Sequence, residues 1–219
     1  MRYSDTSLER ILWIGGGTDA GKTTTATVLS EKLDFLVYHY DRSSGAAEQL
    51  GRNKAPRTFE WKAMSEDERW SLRHPEEIAL HTFEAQEETF PVKLQEILAM
   101  TRESWVIAEG FAFTPKLIAP LLSSVNQAIW MVPTEAFKRN SFKRRGKDKD
   151  REREGSLDPV LATQNQFDRD MIMAAQMREA VETRGLKLLE VDGSRSSMEI
   201  ATIVEAHFEP YLKSTNSSD

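Results

Sequence analysis

The sequence predicts a single α/β domain in which a parallel sheet of about five strands is flanked by helices. Three observations lead to this prediction. Short, continuous apolar runs of strand length recur along the chain, helical stretches separate them, and the first run enters a glycine-rich loop that opens directly into a helix. A continuous apolar run is typical of a buried strand. Strands that alternate with helices favour parallel pairing through right-handed crossovers.

Five apolar segments have the length of a strand, and each is followed by glycine, proline or an acidic residue. The carboxyl ends of parallel strands meet at one edge of a sheet, where such residues can face a ligand. The predicted strands are 10–14, 35–40, 105–108, 126–132 and 186–191.

Helices are predicted between these strands. The stretch 58–102 is rich in Glu, Trp, Met and Ala and predicts two or three helices, since it is too long for a simple connection. Gly185 ends the helix before the last strand, and Ser196 or Ser197 caps the final helix. The remaining predicted helices are 22–33, 135–145, about 159–183 and 197–208. The tail after Lys213 is expected to be disordered.

Composition narrows the class of protein. The chain has 219 residues, 39% of them hydrophobic, which is enough for one substantial core. Its net charge of −6 disfavours a surface built for nucleic acid, so any anion site must be local. The absence of cysteine excludes disulfides and thiolate metal sites. No apolar run is long enough to cross a membrane or to form a secretion signal, so we expect a cytoplasmic protein.

Residues 16–23 read Gly-Gly-Thr-Asp-Ala-Gly-Lys-Thr and match the Walker A phosphate-binding loop in the required position between a strand and a helix. Backbone amides and the helix N-terminus would hold nucleotide phosphates. Lys22 would reach the transferred phosphoryl group, and Thr23 would supply a hydroxyl to Mg²⁺. The alternative is a glycine-rich turn with a solvated lysine. The predicted nucleotide-binding residues of the loop are Gly16, Gly17, Thr18, Asp19, Ala20, Gly21, Lys22, Thr23 and Thr24.

Other motifs separate the classes of protein that carry this loop. The chain has no Asn-Lys-x-Asp guanine motif, no Leu-Ser-Gly-Gly-Gln signature and no apolar run that ends in Asp-Glu. These absences disfavour the large NTPase classes and leave the compact kinases.

Two segments after the loop carry a family resemblance. Residues 105–115, Trp-Val-Ile-Ala-Glu-Gly-Phe-Ala-Phe-Thr-Pro, resemble the adenylate-kinase-like segment in which a strand ends in Asp-Gly-Phe-Pro-Arg. Residues 132–145 resemble the Val-Pro-Asp-Glu segment that leads into Gly-Arg-Arg in the same family. Residues 191–195, Val-Asp-Gly-Ser-Arg, are similar to the late strand and turn beside adenine in nucleotide kinases. The resemblance implies a P-loop kinase with the three-layer P-loop NTPase fold.

The resemblance also implies roles for residues of the later part of the chain. Arg144 and Arg145 correspond to lid arginines that neutralise the transferring phosphoryl group, although 138–153 could instead be a solvated charged surface. Arg169 could be a further arginine of this kind or part of an ordinary surface ion pair. Gly193 and Ser194 would lie against adenine.

Three differences from the family concern recognition. Asn140 stands where an arginine usually stacks on adenine, and the adjacent Arg139 could replace it. Phe113 replaces the arginine that holds the phosphate of the acceptor nucleotide, and no Thr-Gly-Asp-x-x-Arg segment follows Tyr40. A nucleoside monophosphate is therefore only one of the possible acceptors.

Four residues are candidates for the acceptor side, namely Arg169 and the three that follow. Asp41 follows the second strand, where small-molecule kinases of this fold often place a carboxylate against the acceptor hydroxyl, so it is the candidate general base; it could also simply form a turn. Arg42 could bind an acidic group of the acceptor. Glu109 is assigned to Mg²⁺ or to the acceptor, or it could pair with Lys22 for structural reasons.

The helical insertion between the second and third strands lies where this fold builds an acceptor cap. Its large apolar residues could stack on a flat acceptor or belong to the core. They are Trp61, Met64, Trp70, Phe83 and Phe90. His74 and His81 have no accompanying carboxylate pattern, so no metal site is assigned to them.

The sequence therefore predicts an ATP- and Mg²⁺-dependent phosphotransferase that acts on a hydroxyl or phosphate group of a small molecule. A nucleoside monophosphate kinase and a nucleotide-binding switch or partner-binding ATPase are the alternatives. The choice between ATP and GTP, the acceptor and the oligomeric state stay open. The expected organisation is a core of about 8–45, 104–135 and 185–213, a cap of about 46–103 and a lid of about 138–168.

Overall fold

The computed structural model describes residues 5–146 and 155–216. The strands of the described chain are β1 (Ile11–Gly16), β2 (Leu36–His39), β3 (Val106–Glu109), β4 (Ala128–Pro133) and β5 (Lys187–Val191). The helices are α1 (Asp5–Leu8), α2 (Lys22–Leu33), α3 (Ala46–Leu50), α4 (Pro56–Ala63), α5 (Glu66–Trp70), α6 (Pro75–Met100), α7 (Pro115–Ile118), α8 (Glu135–Arg144), α9 (Pro159–Thr183) and α10 (Ser197–Asn216). Short 3₁₀ turns cover Tyr40–Arg42, Ala119–Leu121 and Val125–Gln127.

The five strands form one sheet in the order β2-β3-β1-β4-β5, and every pair is parallel. The central strand β1 is paired with β3 on one side and with β4 on the other. The chain fills the β3 side of β1 first and then crosses to the β4 side. Connections therefore diverge at the carboxyl end of β1, which is where open α/β sheets bind ligands. The predicted α/β fold is confirmed.

Helices cover both faces of the sheet, which explains why β1 is apolar at successive positions. Leu12 and Ile14 face α2 and α10, whereas Ile11 and Trp13 face α6, α7 and α9. All four side chains are buried. Since neighbouring side chains of a strand point to opposite faces, a strand covered on both faces has no exposed position to fill with a polar residue.

The region between β2 and β3 contains four helices, of which α6 is 26 residues long. The carboxyl-terminal half of α6 packs under the sheet through Phe90, Leu94 and Ile97. Its amino-terminal half packs through Ile78 in a separate cluster with Trp70. One helix therefore belongs to the sheet core and also carries the helices that follow β2.

The final helix is longer than predicted. It continues past Pro210 to Asn216, whereas the sequence predicted an end at Phe208 and disorder after Lys213. Proline removes one helical hydrogen bond, but burial of Phe208 and Tyr211 against the sheet holds the helix on both sides of it. Residues 217–219 of the predicted tail lie outside the described residues.

The cap of α10 is Ser196. Its hydroxyl accepts the Glu199 amide at 3.3 Å, and the Glu199 carboxylate accepts the Ser196 amide at 2.8 Å, which is a capping box. Of the helices in the described parts of the chain, none is both long enough and apolar enough to cross a bilayer.

Candidate active site

The loop between β1 and α2 requires glycine where it leaves the sheet. Gly16 has φ +120°, and a Cβ atom there would come within 2.0 Å of the Met131 carbonyl oxygen. Gly21 has φ +85° at the start of α2, and Asp19 adopts φ +62° between them. When residues of positive φ alternate with ordinary residues along a loop, the backbone amides turn toward its inside. Amides arranged in this way form an anion-binding nest.

The backbone amides of this loop differ in whether they have a hydrogen-bond acceptor. The Gly17 amide donates to the Met131 carbonyl at 2.9 Å and ties the loop to β4. The amides of Lys22, Thr23 and Thr24 open α2, so they have no intrahelical acceptor, and no acceptor among the described residues bonds them. These amides and the positive end of the helix suit a bound polyphosphate. Residues 16–23 are called the P-loop below because they match the Walker A pattern.

Lys22 lies inside the P-loop and is only 7% exposed. Its ammonium group donates to the Gly17 carbonyl at 2.6 Å. Burial lowers the pKa of Lys22 to about 8, against the opposing effect of the Glu109 and Asp41 carboxylates. Lys22 is therefore held beside the P-loop amides in an environment that an added anion would make more favourable for its charge.

Glu109 lies at the end of β3, in register with Ile14 of β1. Its Oε1 atom accepts the Thr23 hydroxyl at 3.1 Å and lies 2.7 Å from His39 Nδ1. A buried carboxylate and a threonine hydroxyl at the mouth of a P-loop suit Mg²⁺, which takes oxygen ligands and needs few of them from the protein. In residues 5–146 and 155–216 there is no group of three or more His, Asp or Glu residues that could hold a metal by itself.

A second charged cluster lies on the other side of the P-loop. Lys138 of α8 is 1% exposed, and its ammonium group donates to Asp19 at 2.7 Å and to Asp170 of α9 at 2.6 Å. The Thr18 hydroxyl also donates to Asp170 at 2.6 Å, and Arg145 pairs with Asp19 at 2.9 Å. Burial by itself would raise the pKa of Asp170, but the charges of Arg169 and Lys138 hold it below its usual value. The cluster joins the P-loop to α8 and α9.

Three cavities meet at the carboxyl edge of the sheet. The middle one, about 270 Å³, contains Lys22, Thr23 and Glu109. A second, about 410 Å³, lies toward α10 and shares Asp19, Gly21, Thr24 and Arg145 with the middle one. The third, about 570 Å³, lies under the helices between β2 and β3 and shares Asp41, Phe111 and Arg169 with the middle one. The three cavities therefore form one series with the P-loop at its centre.

The structure brings most of the sequence-predicted site residues to these cavities. Arg144 and Gly193 line the cavity of about 410 Å³, and Arg145 lines both this cavity and the middle one. Asp41 and Arg169 stand where the middle and largest cavities join. Arg169 is only 11% exposed in its side chain and packs over the Trp70 ring, so the alternative of a surface ion pair does not hold for it.

Five predicted residues lie outside the linings of these three cavities, and two of them, Gly16 and Gly17, belong to the loop itself. Arg139 packs over the Phe167 ring at 4.5 Å and lines a different cavity of about 200 Å³. Arg42 is exposed and lies outside the linings of the three joined cavities. The Ser194 hydroxyl donates to Asp192 at 2.6 Å and is also outside those linings.

Sequence reasoning missed Lys138, Asp170 and His39. Lys138 stands at the start of a run that could have been a solvated surface, and that alternative is wrong for Lys138 because its side chain is buried. The usable signal was the helical spacing of Lys138 and Phe142, which places the lysine on the apolar side of α8. Nothing in the sequence pairs Asp170 or His39 with its partner.

Three of the large apolar residues singled out in the insertion lie in two different surroundings. Phe90 belongs to the core under the sheet. Trp61 and Trp70 pack edge to face at 5.2 Å and line the cavity of about 570 Å³. Of the predicted lid at about 138–168, residues 147–154 lie outside the described residues.

Comparison with known proteins gives matches at the level of structure. No family model matches the chain, and no curated protein matches it by sequence. The chain is similar to the shikimate kinase from Acinetobacter baumannii in complex with shikimate, at 14% identity and a TM-score of 0.46, with 94% of this chain and 98% of that chain covered. It is also similar to a deoxyadenosine kinase from M. mycoides with bound dATP, at 10% identity and a TM-score of 0.41, with coverages of 94% and 99%.

A shikimate kinase from Aquifex aeolicus matches at 16% identity and a TM-score of 0.38, with 92% of this chain and 98% of that chain covered. All three TM-scores lie below 0.5, so the α/β fold is established by the five-stranded parallel sheet of this chain and not by these matches. At these identities the function must be argued from the cavities and the side chains that line them.

Proposed function

We propose that the protein is a kinase that transfers the γ-phosphoryl group of ATP to a hydroxyl group of a small molecule in the presence of Mg²⁺. The observation that carries the proposal is the series of three joined cavities with the P-loop at its centre. The nucleoside part of ATP would occupy the cavity beside Gly193, the phosphates the middle cavity, and the acceptor the largest cavity. Asp41 and Arg169 stand at the junction where donor and acceptor would meet.

The residues around the middle cavity have complementary tasks. P-loop amides and Lys22 would bind the phosphates, while Thr23 and Glu109 would hold the metal. Bound ATP and Mg²⁺ would supply the phosphoryl group and charge neutralisation. Arg144 and Arg145 would neutralise charge from the nucleotide side, and Arg145 already reaches the middle cavity.

In the proposed transfer one bond forms, one bond breaks and one proton is transferred. The acceptor hydroxyl oxygen bonds to the γ-phosphorus as the bond from that phosphorus to the β–γ bridging oxygen breaks, and ADP leaves. Asp41 accepts the hydroxyl proton and later releases it to solvent. Positioning and charge neutralisation lower most of the barrier in a loose transition state of this kind.

The cavity charges favour a hydroxyl acceptor over the phosphate of a nucleoside monophosphate. Two of the three cations in the described wall of the largest cavity are paired with carboxylates, Lys62 with Glu48 and Arg169 with Asp170, whereas Lys93 donates to the neutral Ser43 carbonyl. Lys93 could compensate one negative charge of an acceptor, but a dianionic acceptor would have to break one of the two ion pairs or leave its second charge unpaired. We also propose that 46–103, which supplies most of the wall of the largest cavity, forms the acceptor cap, and that 138–168, of which 147–154 lie outside the described residues, forms the lid.

Asp41→Asn is expected to lower kcat by about 10²- to 10⁴-fold, because asparagine cannot accept the hydroxyl proton. ATP affinity should change little, since the substitution keeps the shape of the side chain and the P-loop intact. Steady-state kinetics and calorimetric titration with ATP measure the two quantities. A kcat within a few-fold of the unsubstituted protein would remove Asp41 from the role of general base.

Nucleotide affinity is expected to fall as the pH rises above about 8, the pKa of Lys22 in the free protein. A bound polyphosphate stabilises the ammonium form and raises this pKa, so binding takes up a proton in the range where free Lys22 is deprotonated. Below that range Lys22 is already charged, so it does not make nucleotide affinity depend on pH. Titration calorimetry in two buffers of different ionisation enthalpy measures the uptake. Lys22→Met should abolish the proton uptake. Equal uptake in that variant would show that Lys22 is not the group that takes up the proton.

The proposed function is tested by incubating the full chain with ATP and Mg²⁺ against a panel of small acceptors and following ADP release. The panel contains hydroxylated metabolites and nucleoside monophosphates. Phosphorylation of a hydroxyl compound supports the proposal, and exclusive action on monophosphates supports the nucleotide-kinase alternative. Tight ATP binding without transfer to any acceptor, with a protein partner recovered only in the ATP state, would favour a nucleotide-binding switch.

A further inference from the structure

The wall of the largest of the three joined cavities includes a side-chain amide that has no hydrogen-bond partner among the described residues. Gln86 of α6 lines the cavity and is only 4% exposed. Neither its Oε1 nor its Nε2 atom has a partner among the described residues. Burial of an amide without hydrogen bonds is unfavourable, so buried amides in proteins are almost always paired. An unpaired one in a cavity wall indicates a ligand group that would pair with it.

Neighbouring polar groups of the same wall differ from Gln86 because they do have partners. The Thr82 hydroxyl donates to the Ile78 carbonyl at 2.7 Å, and the Thr89 hydroxyl donates to the Ala85 carbonyl at 3.0 Å. His81 Nε2 lies 2.8 Å from the Arg57 carbonyl oxygen. Gln86 therefore provides hydrogen-bonding capacity that its surroundings in the protein leave unused.

The chemistry of a carboxamide limits what can pair with it. It presents a carbonyl acceptor and an N–H donor side by side, so its full complement is a group with an adjacent donor and acceptor in one plane. The edges of nitrogen heterocycles have this arrangement. An aliphatic polyol has no planar edge of this kind and would leave part of the amide unpaired.

The remaining wall suits a flat, uncharged ring. Tyr40, Trp61, Trp70 and Phe111 contribute aromatic surface, and the volume of about 570 Å³ is in the range of small-molecule sites. Two of the three cations of the described wall are paired with carboxylates, and Asp41 adds a negative charge to the same wall, which disfavours a dianionic ligand. Asp41 stands at the opening to the P-loop cavity, where a hydroxyl of the same molecule would react.

We propose that this cavity binds a neutral, planar nitrogen heterocycle that carries a hydroxyl-bearing substituent, as nucleosides do. The donor and acceptor edge of the ring pairs with Gln86, and the hydroxyl lies at Asp41. The proposal rests on the kinase function proposed above. The hydroxyl oxygen gains the γ-phosphoryl group of ATP, the hydroxyl proton goes to Asp41, and the products are a phosphate monoester and ADP.

The first experiment compares acceptor classes with the full chain. Adenosine, guanosine, cytidine, uridine and thymidine are tested against shikimate, gluconate and glycerol, which carry hydroxyls but no nitrogen heterocycle. Binding is followed by tryptophan fluorescence, because Trp61 and Trp70 line the cavity. Turnover with ATP and Mg²⁺ is followed by ADP release. We expect at least one nucleoside to bind and be phosphorylated in preference to all three control compounds.

The second experiment replaces the amide. Gln86→Leu is expected to raise the KM for the nucleoside about 10- to 100-fold, as for the loss of one or two hydrogen bonds, with a smaller change in kcat. Its melting temperature should be unchanged or higher, because an unpaired polar group has been removed from a buried position. Gln95→Leu, on an exposed face of the same helix, is the matched control and should leave the KM for the nucleoside unchanged.

The outcomes distinguish the two proposals. Phosphorylation of shikimate, gluconate or glycerol with no binding of any nucleoside would overturn the heterocycle and leave the kinase function standing. Nucleoside binding without phosphoryl transfer would support the heterocycle and overturn the kinase function. A clear fall in the melting temperature of Gln86→Leu, with KM unchanged, would show that the amide is structural and overturn its role in recognition.

Discussion

Replacing Lys22 by alanine is expected to lower kcat by about 10³-fold or more, with the fold retained. Lys22 is the buried cation of the P-loop, and its ammonium group lies beside the amides that would hold the phosphates. Its removal deletes charge stabilisation at the transferred group, an effect that is large in a site shielded from water. Because burial of its charge is unfavourable in the free protein, the free energy of unfolding should not fall substantially.

Rates of ADP release in the presence of acceptor, together with thermal unfolding, measure both parts of this expectation. Lys32→Ala is the matched control, since Lys32 lies on the same helix and makes an exposed ion pair with Glu205. It should keep full activity. Phosphoryl transfer at a normal rate in folded Lys22→Ala would show that the P-loop does not serve as the phosphate site.

Replacing Lys138 by methionine is expected to lower the free energy of unfolding by about 3–5 kcal/mol. The substitution keeps much of the volume of the side chain and removes the charge between Asp19 and Asp170. Two buried carboxylates would then lie close together, with Arg145 and Arg169 as their remaining cationic partners. A buried ion pair that loses one member leaves a charge that is neither hydrated nor compensated.

Urea unfolding at neutral pH measures the loss. Lys143→Met, an exposed position in the last turn of α8, should change stability by less than about 0.5 kcal/mol. The double variant Lys138→Met/Asp170→Asn should regain part of the lost stability, because it also removes one of the unpaired charges. Equal stability of Lys138→Met and the unsubstituted protein would mean that the buried cluster does not hold α8 against the P-loop.

The Lys138 cluster also bears on activity. Arg145 contacts the P-loop through Asp19, and the same carboxylate is held by Lys138. Loss of Lys138 therefore removes a constraint on the two elements that carry Arg145 and the amides proposed to bind phosphate. Reduced activity in Lys138→Met at a temperature where the variant stays folded is the expected consequence.

Much of the fold could be predicted from local sequence. The first helix after the P-loop and the long helix before β5 begin and end at the predicted residues, Lys22–Leu33 and Pro159–Thr183. Each has a local signal at its start, a glycine-rich loop in one case and Asp158 followed by proline in the other. The end of α10 was mispredicted because packing of Tyr211 against the sheet outweighs the local effect of Pro210.

The sequence by itself determined the P-loop, the parallel strands and the carboxylates that follow them, because these features depend on neighbours in the chain: a glycine spacing, an apolar run, a residue at a strand end. Only the tertiary structure decided that Lys138 is buried between two carboxylates, that Arg139 faces Phe167, and that the Gln86 amide has no partner in the described part of the chain. The physical reason is that charge pairing and hydrogen-bond satisfaction depend on which elements pack together. Residues such as Lys138 and Asp19 are 119 positions apart in the chain and come into contact only through that packing.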